Sequence, residues 1–213
     1  MSAIPDIKIE AIVVGPFGTN CYLLQNTETG QIVVIDPGGP ARQIQKACED
    51  MGGKPDAILL THGHTDHIMG IPGLKEADPA LPVYAGRFAK TLLSDPSLNV
   101  GNRAVRCAVD PEYYVTEGET IDICGMTFTV LETPGHTAGS ICFYMKDRQI
   151  LFSGDTLFRG SYGRYDLATA SEEAIFRSLR RLADEIPDET TVYPGHGAPT
   201  TIALEKQINP ALS

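Results

Sequence analysis

The order of apolar and polar residues along the chain predicts alternating strands and helices. Segments in which apolar and polar residues alternate, or in which apolar residues run together, are typical of strands. These segments are residues 8–14, 20–25, 31–35, 57–60, 82–85, 120–123, 126–131, 141–145, 149–153 and 190–193. Helical spacing of apolar residues predicts helices at residues 40–51, 86–94, 171–185 and 201–207. Ser171 is expected to cap the helix at residues 171–185. Asp66 is expected to cap a further short helix, which carries His67.

Residues 95–110 interrupt this regular pattern. Their polarity is mixed and includes a Gly-Asn pair, so they are predicted to form a loop. The sequence assigns no chemistry to this loop, which either covers a pocket or only connects its neighbours.

A ligand-rich loop follows the apolar run at residues 57–60. The stretch Thr61-His62-Gly63-His64-Thr65-Asp66-His67 contains three histidines and an aspartate. Imidazole and carboxylate groups at this density suit a divalent ion such as zinc, iron or manganese. In an extended backbone His62 and His64 point to one side, whereas Asp66 and His67 point apart and can face a second ion. The alternative is a polar surface loop, but such crowding is unfavourable unless something neutralises it.

Three more candidate ligands follow apolar strands in the same way. The chain has five histidines in all, and the two outside the first loop each end a Pro-Gly-His tripeptide. These are His136 and His196, and Asp155 directly follows Gly154 in a similar context. Glycine beside each ligand allows a close approach of the backbone. Four loops at predicted strand ends therefore offer groups that bind metals.

Composition narrows the class of protein. A chain of 213 residues is expected to form a single domain, residues 1–213, with a substantial core. The net charge of −10 disfavours nucleic acid and anionic membranes as partners. No signal-peptide pattern and no apolar run of membrane-spanning length is seen. The five cysteines are dispersed without a CxxC pair, which indicates reduced thiols and a cytoplasmic location. The oligomeric state is not indicated.

The combined pattern resembles that of the metallo-β-lactamase superfamily, in the hydrolase branch that includes glyoxalase II. The motif His62-x-His64-x-Asp66-His67, followed by His136, Asp155 and His196, carries the resemblance, which covers nearly the whole chain. It implies a four-layer αββα sandwich, in which two mixed sheets are flanked by helices and a site for two metals lies at one edge. Loop by loop, it implies that His62, His64 and His136 hold one ion, that Asp66, His67 and His196 hold the second, and that Asp155 bridges both.

The same resemblance suggests the cofactors and a supporting residue. Two divalent ions are implied, with zinc expected and iron or manganese as alternatives. Asp36 resembles a family aspartate that supports the histidine-rich loop from behind. True β-lactamases of the superfamily generally lack the bridging aspartate, and its nucleases usually carry extra domains, so both are disfavoured here.

The implied reaction is hydrolysis of a small thioester of the S-lactoylglutathione kind. A metal-bridging hydroxide attacks the carbonyl, with Asp66 and Asp155 as the catalytic carboxylates that hold the ions and orient the nucleophile. A thiol has a pKa near about 8.5 and leaves without a strong general acid. That fits a thioester better than an amide.

The segment from Leu157 to Asp166 is the candidate for substrate contact. It resembles the Gly-Arg-x-Asp loop shared by glyoxalase II proteins and persulfide dioxygenases. Arg159 or Arg164 is a candidate partner for a substrate carboxylate, and the alternative is that Arg164 pairs with Asp166 to shape the loop. The C-terminal helical region with which glyoxalase II contacts glutathione has no matching positions here, so the thiol carrier stays open.

Three other activities are alternatives. One is a persulfide dioxygenase with a single iron, although residues 193–201 look more like the hydrolase form. The second is a hydrolase of lactones or phosphodiesters from the same superfamily. The third is a metal-binding scaffold without catalysis.

Overall fold

Two six-stranded sheets form the centre of the computed structural model, which describes residues 6–99 and 107–212. The first sheet is mixed. Three antiparallel strands, β1 (Ile7–Val14), β2 (Thr19–Asn26) and β3 (Ile32–Ile35), continue into three parallel ones, β4 (Pro55–Leu60), β5 (Val83–Gly86) and β6 (Tyr113–Val115). The strands lie in chain order from β1 to β6.

The second sheet is also mixed and comes from the later part of the chain. Its strands are β7 (Thr120–Ile123), β8 (Met126–Glu132), β9 (Ile141–Met145), β10 (Ile150–Gly154), β13 (Thr191–Pro194) and β14 (Thr200–Thr201). They lie in the order β14-β13-β10-β9-β8-β7, with only β10 and β13 parallel. A separate hairpin of β11 (Leu157–Phe158) and β12 (Ser161–Tyr162) follows β10.

Helices cover the outer face of each sheet. On the first sheet these are α1 (Ala41–Asp50), α3 (Ile71–Ala77) and α4 (Lys90–Ser94), whereas α5 (Glu172–Glu185) and α6 (Ile202–Ile208) cover the second. The short α2 (Thr65–Ile68) directly follows the histidine-rich loop. Two 3₁₀ turns, Arg87–Ala89 and Lys146–Arg148, complete the helical segments.

Three apolar clusters separate the layers. Because successive strand residues face opposite sides, Leu23 packs under the helices of the first sheet while Leu24 packs between the sheets. Phe128, Phe143 and Phe152 of the second sheet fill the space between the sheets. A third cluster joins the second sheet to α5, where Leu179 is fully buried. The order of layers is therefore helices, sheet, sheet, helices, as the resemblance implied.

Several sequence predictions need correction. The short helix predicted from Asp66 is split into α2 and α3, and His64 rather than Asp66 is the residue that precedes α2. Asp66 lies in the first turn, where Thr19 donates a hydrogen bond to its side chain. The strands β6, β11, β12 and β14 were not predicted, because two or three residues are too few to show a periodic pattern. Of the predicted loop 95–110, residues 100–106 lie outside the described residues.

In the part of the chain that the structure describes, no helix is both long and apolar enough to cross a lipid bilayer.

Candidate metal centre

The histidine-rich loop extends from the end of β4 at the edge where the two sheets meet. His64 has an extended backbone, and the chain then turns into α2. The prediction that Asp66 and His67 point apart is wrong, because both residues are helical rather than extended. The Oδ2 atom of Asp66 lies 3.5 Å from Nε2 of His67. All four candidate ligands of this loop therefore reach one region.

Loops of the second sheet bring the other three candidate ligands to the same place. The loop between β8 and β9 carries His136, whose Nε2 lies 2.9 Å from Nδ1 of His64. His196, two residues after the end of β13, places Nε2 3.3 Å from Oδ2 of Asp66. Asp155 directly follows β10. All seven residues that the sequence singled out as ligands thus converge.

The seven residues form two groups with one residue between them. His62, His64 and His136 have ligand atoms within 4.8 Å of one another, and so do Asp66, His67 and His196. The carboxylate of Asp155 reaches both groups. Its Oδ2 is 3.5 Å from Nε2 of His136 and 3.4 Å from Nε2 of His196, and its Oδ1 is 3.4 Å from Nε2 of His67.

Several of these atoms are buried without any hydrogen-bond partner. They include Nε2 of His62, Nε2 of His67 and Oδ1 of Asp155. Buried polar atoms in proteins are nearly always paired, because leaving them unpaired is unfavourable. Unpaired imidazole nitrogens and a carboxylate oxygen that face one another are the donor set of a divalent metal site. The residues present therefore fit two divalent ions.

A third cluster, formed by Asp36, His62 and His67, is a support rather than a metal site. Asp36 already accepts hydrogen bonds from the backbone and hydroxyl of Thr61 at 2.8 and 2.6 Å, and from Nδ1 of His67 at 2.9 Å. Its backbone has φ of 52°, an uncommon value outside glycine that aspartate tolerates better than most residues. Asp36 thus lies behind the loop, in the position expected from the sequence.

Hydrogen bonds fix which nitrogen each ring presents to the site. The hydroxyl of Thr61 donates to Asp36, so it accepts from Nδ1 of His62 at 3.1 Å. Nδ1 of His136 donates to the backbone oxygen of Arg164 at 2.7 Å. Such partners orient a metal-binding imidazole and set its tautomer. In His62, His67 and His136, Nε2 is consequently the atom directed at the site.

The pKa values of the histidines differ between the two groups of residues. Burial lowers the pKa of His62 well below its ordinary value and lowers the pKa of His64 to about 3, with neighbouring histidines adding to the effect. Burial also acts on His67 and His196, but the carboxylates of Asp155 and Asp66 outweigh it. They raise the pKa of His196 to about 9 and that of His67 well above its usual range.

The two carboxylates of the site show the reverse balance. Burial favours the neutral form of each, but the neighbouring histidines outweigh it and lower the pKa of Asp66 to about 2 and that of Asp155 well below its usual range. Both carboxylates are therefore ionised at neutral pH, as a cation requires of its oxygen ligands.

Residues of β2 hold the loop of His196, which was not predicted from the sequence. The amide of Asn20 donates to the backbone oxygens of Pro194 at 3.0 Å and Gly197 at 2.8 Å. The hydroxyl of Tyr22 donates to Pro194 at 2.6 Å. Thr19 donates to Oδ2 of Asp66 at 3.0 Å. These residues belong to no motif and meet the site only because the two sheets pack together.

Close backbone approach requires glycine in two of the ligand loops. A Cβ atom on Gly195 would lie 2.1 Å from Oδ1 of Asp155, and one on Gly154 would lie 2.3 Å from the hydroxyl of Thr61. Both distances are too short for non-bonded atoms. A side chain at Gly195 would displace the carboxylate of Asp155, and one at Gly154 would displace the hydroxyl of Thr61.

A cavity of about 610 Å³ opens beside the site. It is lined by Phe17, His64, Asp66, His136, Asp155, Phe158, Ser161, Tyr162, Arg164, Leu167 and His196. The side chain of Arg164 is 63% exposed and forms two hydrogen bonds to Asp166, at 2.6 and 2.7 Å, so the structure shows the loop-shaping pair. Arg159 is exposed and does not line this cavity.

Known proteins are similar to this chain over most of its length. The family model of the metallo-beta-lactamase superfamily matches residues 14–196. The probable metallo-hydrolase YqgX of Bacillus subtilis strain 168 is 35% identical over 210 residues, which cover 97% of this chain and 98% of the relative. The hydroxyacylglutathione hydrolase GloC of Haemophilus influenzae is 31% identical over 211 residues, with 97% and 99% covered.

Solved structures share the fold over almost the full chain. The B3 metallo-beta-lactamase BLEG-1 superposes with a TM-score of 0.89 at 35% identity, covering 97% of this chain and all 100% of that one. TTHA1623 in a di-iron-bound form gives a TM-score of 0.82 at 39% identity, with 94% and 98% covered. These matches confirm the predicted family and its α/β sandwich fold. The chain belongs to the metallo-beta-lactamase superfamily.

Proposed function

We propose that this chain is a dinuclear-metal hydrolase of small thioesters of the S-lactoylglutathione kind. The observation that carries the proposal is the position of Asp155, whose two oxygens reach donor atoms of both ligand groups at 3.4 to 3.5 Å. A single carboxylate in that position can serve two ions at once. Membership of a metallo-hydrolase superfamily supports metal-dependent hydrolysis in general.

The ligand residues would form two ion sites. His62, His64 and His136 would hold one ion, and Asp66, His67 and His196 the other. When bound, two divalent ions supply an activated water and a Lewis acid for the substrate carbonyl. Asp36, through Thr61 and His67, keeps both groups oriented, so that little reorganisation is needed when a substrate binds.

Two observations support thioesters as the substrate class. In the described residues, all five histidines belong to the two ligand groups, which leaves no histidine free as a general acid for a poor leaving group. A thiolate needs no such acid. GloC, at 31% identity over nearly the whole of both chains, is named a hydroxyacylglutathione hydrolase.

The ions themselves are proposed to be zinc. Histidine and aspartate donors also suit iron and manganese, and TTHA1623 was obtained in a di-iron-bound form. Protein freed of metal with a chelator, and then loaded with each ion in turn, should recover thioester hydrolysis at two ions per chain. Elemental analysis beside the rate measurement separates the three metals.

A panel of substrates tests the proposed reaction against its rivals. It contains S-lactoylglutathione, a chromogenic β-lactam, an acyl lactone, a phosphodiester and a glutathione persulfide with oxygen uptake as the readout. The β-lactam is included because BLEG-1 is a B3 metallo-beta-lactamase. We expect the thioester to be turned over with the highest kcat/KM. Faster hydrolysis of the β-lactam, or oxygen uptake with one iron per chain, would overturn the proposal.

A further inference from the structure

A short hairpin forms part of the cavity wall beside the candidate metal centre. Its strands pair Leu157 with Tyr162 and Phe158 with Ser161. Phe158, Ser161 and Tyr162 all line the cavity. The ring of Phe158 meets that of His196 edge-on, with centroids 6.0 Å apart. The hairpin therefore lies next to the place where the non-reacting part of a substrate would lie.

This hairpin cannot hold its own shape. Its two strands have two residues each, and isolated two-stranded hairpins are at best marginally stable in water. The favoured two-residue turns need positive φ at both loop residues or at the first. Of Arg159 and Gly160, only Gly160 has positive φ, at 66°. The position of the turn therefore depends on contacts from elsewhere.

Glu205 of α6 supplies one of these contacts. Its side chain is fully buried. Oε2 accepts hydrogen bonds from the backbone N–H of Gly160 at 2.8 Å and from the Asn209 amide at 2.8 Å, and Oε1 accepts from the hydroxyl of Thr200 at 2.5 Å.

Among the described residues, no cation compensates the burial of Glu205. Within residues 6–99 and 107–212 its carboxyl group takes part in no ion pair. An apolar side chain would fill a buried helical position with less loss of solvation. The carboxyl group is therefore better explained by the turn that it holds than by the stability of the core.

Asn209, also fully buried, holds the other side of the same turn. Its amide donates to the backbone oxygen of Ser161 at 2.9 Å as well as to Glu205. Glu205 and Asn209 together fix the hairpin at Gly160 and at Ser161. Both contacts come from the C-terminal part of the chain, which contributes no candidate metal ligand after His196.

We propose that Glu205 and Asn209 are positioning residues for substrate discrimination. They fix the hairpin so that Phe158 and Tyr162, with Phe17 and Leu167 of the same cavity, present a preformed apolar wall. The matching substrate class is a thioester with an apolar or aromatic thiol carrier. The effect on substrate preference rests on the proposed thioesterase function, but the position of the hairpin can be measured without activity.

The kinetic test compares two lactoyl thioesters, one of benzyl mercaptan and one of the small polar N-acetylcysteamine. Wild type should prefer the benzyl ester in kcat/KM. Glu205→Leu keeps a buried side chain at this position but removes both oxygens, so Gly160 and Asn209 lose their acceptor and the turn is released. The preference should then fall by about tenfold, mainly through KM, as for the loss of one apolar contact in a pocket.

A matched control separates this effect from simple destabilisation. Leu74→Ala removes a buried side chain of α3, in the cluster on the far side of the first sheet. It should lower the melting temperature but leave the ratio of the two thioesters unchanged. Glu205→Leu should retain two metals per chain while the ratio falls.

A fluorescent reporter tests the positioning directly. The chain contains no tryptophan, so Phe158→Trp introduces a single emitter into the wall. Adding Glu205→Leu should shift its emission to the red and increase quenching by acrylamide. If the reporter responds but no thioester is hydrolysed, the positioning stands and the proposed function fails. Unchanged quenching, no preference for the benzyl ester in wild type, or a ratio that stays within about twofold of wild type in Glu205→Leu would each overturn the proposal.

Discussion

At the scale of single residues, Asp155 is the candidate ligand that lies close to histidines of both ligand groups. Asp155→Asn keeps the shape of the side chain but removes the negative charge between them. Metal content should fall from two ions per chain to one or fewer, and thioester turnover should fall at least about 100-fold, the upper range for losing even a supporting partner of a ligand. Elemental analysis and steady-state kinetics measure both. Asp122→Asn, the same change at an exposed position of β7, serves as the control.

Arg164 is the residue for which the structure changes the expectation most. Its side chain is turned toward Asp166, while its backbone oxygen orients His136. The guanidinium already forms two hydrogen bonds to Asp166, which it would have to give up in order to bind a substrate carboxylate. Arg164→Ala should therefore leave the ratio of kcat/KM for acidic and neutral thioesters within about twofold. A tenfold loss confined to acidic thioesters would show instead that Arg164 leaves Asp166 to bind substrate.

Functional residues could be predicted from the sequence where metal-binding residue types form a motif, and not elsewhere. Three histidines and an aspartate in one short loop are rarely a coincidence, so the ligands could be singled out. Thr19, Asn20 and Tyr22 could not, since a polar residue at the start of a strand is ordinary. Their role follows from proximity in space to loops that are distant in sequence, as for Asn20 and Pro194, which are 174 positions apart.

At the scale of elements, β2 connects the two sheets at both of its ends. Near the site, Asn20 donates to the backbone of the His196 loop. At the opposite end, Asn26 donates to the backbone oxygen of Cys124, in the turn between β7 and β8, at 2.9 Å. The two asparagines make the same kind of contact, but only one of them lies beside the candidate ligands.

This pair allows a matched experiment. Asn20→Ala and Asn26→Ala each remove two or more hydrogen bonds between a side chain and the backbone, so each should lower the free energy of unfolding by about 1–3 kcal/mol. Only Asn20→Ala should also weaken metal binding, because it releases the loop that carries His196. Thermal unfolding and competition with a chelator measure the two effects. Equal metal affinity in both variants would show that the loop is held without Asn20.

Elements with a strong local signal were predictable, and those defined by distant contacts were not. The apolar stripe of α5 and its cap, where Ser171 accepts from the N–H of Ala174, follow from local sequence. The two-residue strands β11 and β12 exist because α6 holds their turn. No window of sequence around residues 157–162 contains that information.

At the scale of the whole molecule, the candidate ions would join the two sheets. Each ligand group combines residues of the first sheet's loop with one histidine from the second. An ion that binds only the folded chain stabilises it by about 2.7 kcal/mol at a concentration of 100 times its Kd. For a chain of this length that corresponds to a rise of roughly 5–10 °C in melting temperature for each ion. Scanning calorimetry with and without chelator checks this, and Asp155→Asn should show a smaller rise.

The metal-free protein should also respond to pH in a defined direction. The pKa of His196 is raised to about 9, because its hydrogen bonds to Asp155 and Asp66 outweigh burial. Its contribution to stability is complete below the unfolded value of about 6.5 and is lost as pH rises toward 9. Metal loading at neutral pH should accordingly release protons. Calorimetric titration in buffers with different ionisation enthalpies measures that release, and none would contradict the assignment.

The order of strands and helices alone did not specify how the sheets pack. It was compatible with an α/β protein, and the αββα order came from the resemblance carried by the ligand loops. The packing depends on apolar contacts such as those of Phe128 and Phe152 between the sheets. Those contacts join positions far apart in sequence, which periodicity does not reveal.

The division of the ligands between two sheets has a consequence for biosynthesis. A ribosome completes His62, His64, Asp66 and His67 well before His136 and His196, so the growing chain exposes a partial set of donors. Neither group of three is complete until the second sheet has been made and has packed against the first. The selection of an ion by the complete site therefore takes place in the finished fold, among the metals present in that compartment at that time. Protein isolated from an overproducing host will reflect the metal supply of its growth medium, and only reloading after chelation will reveal the preference of the site itself.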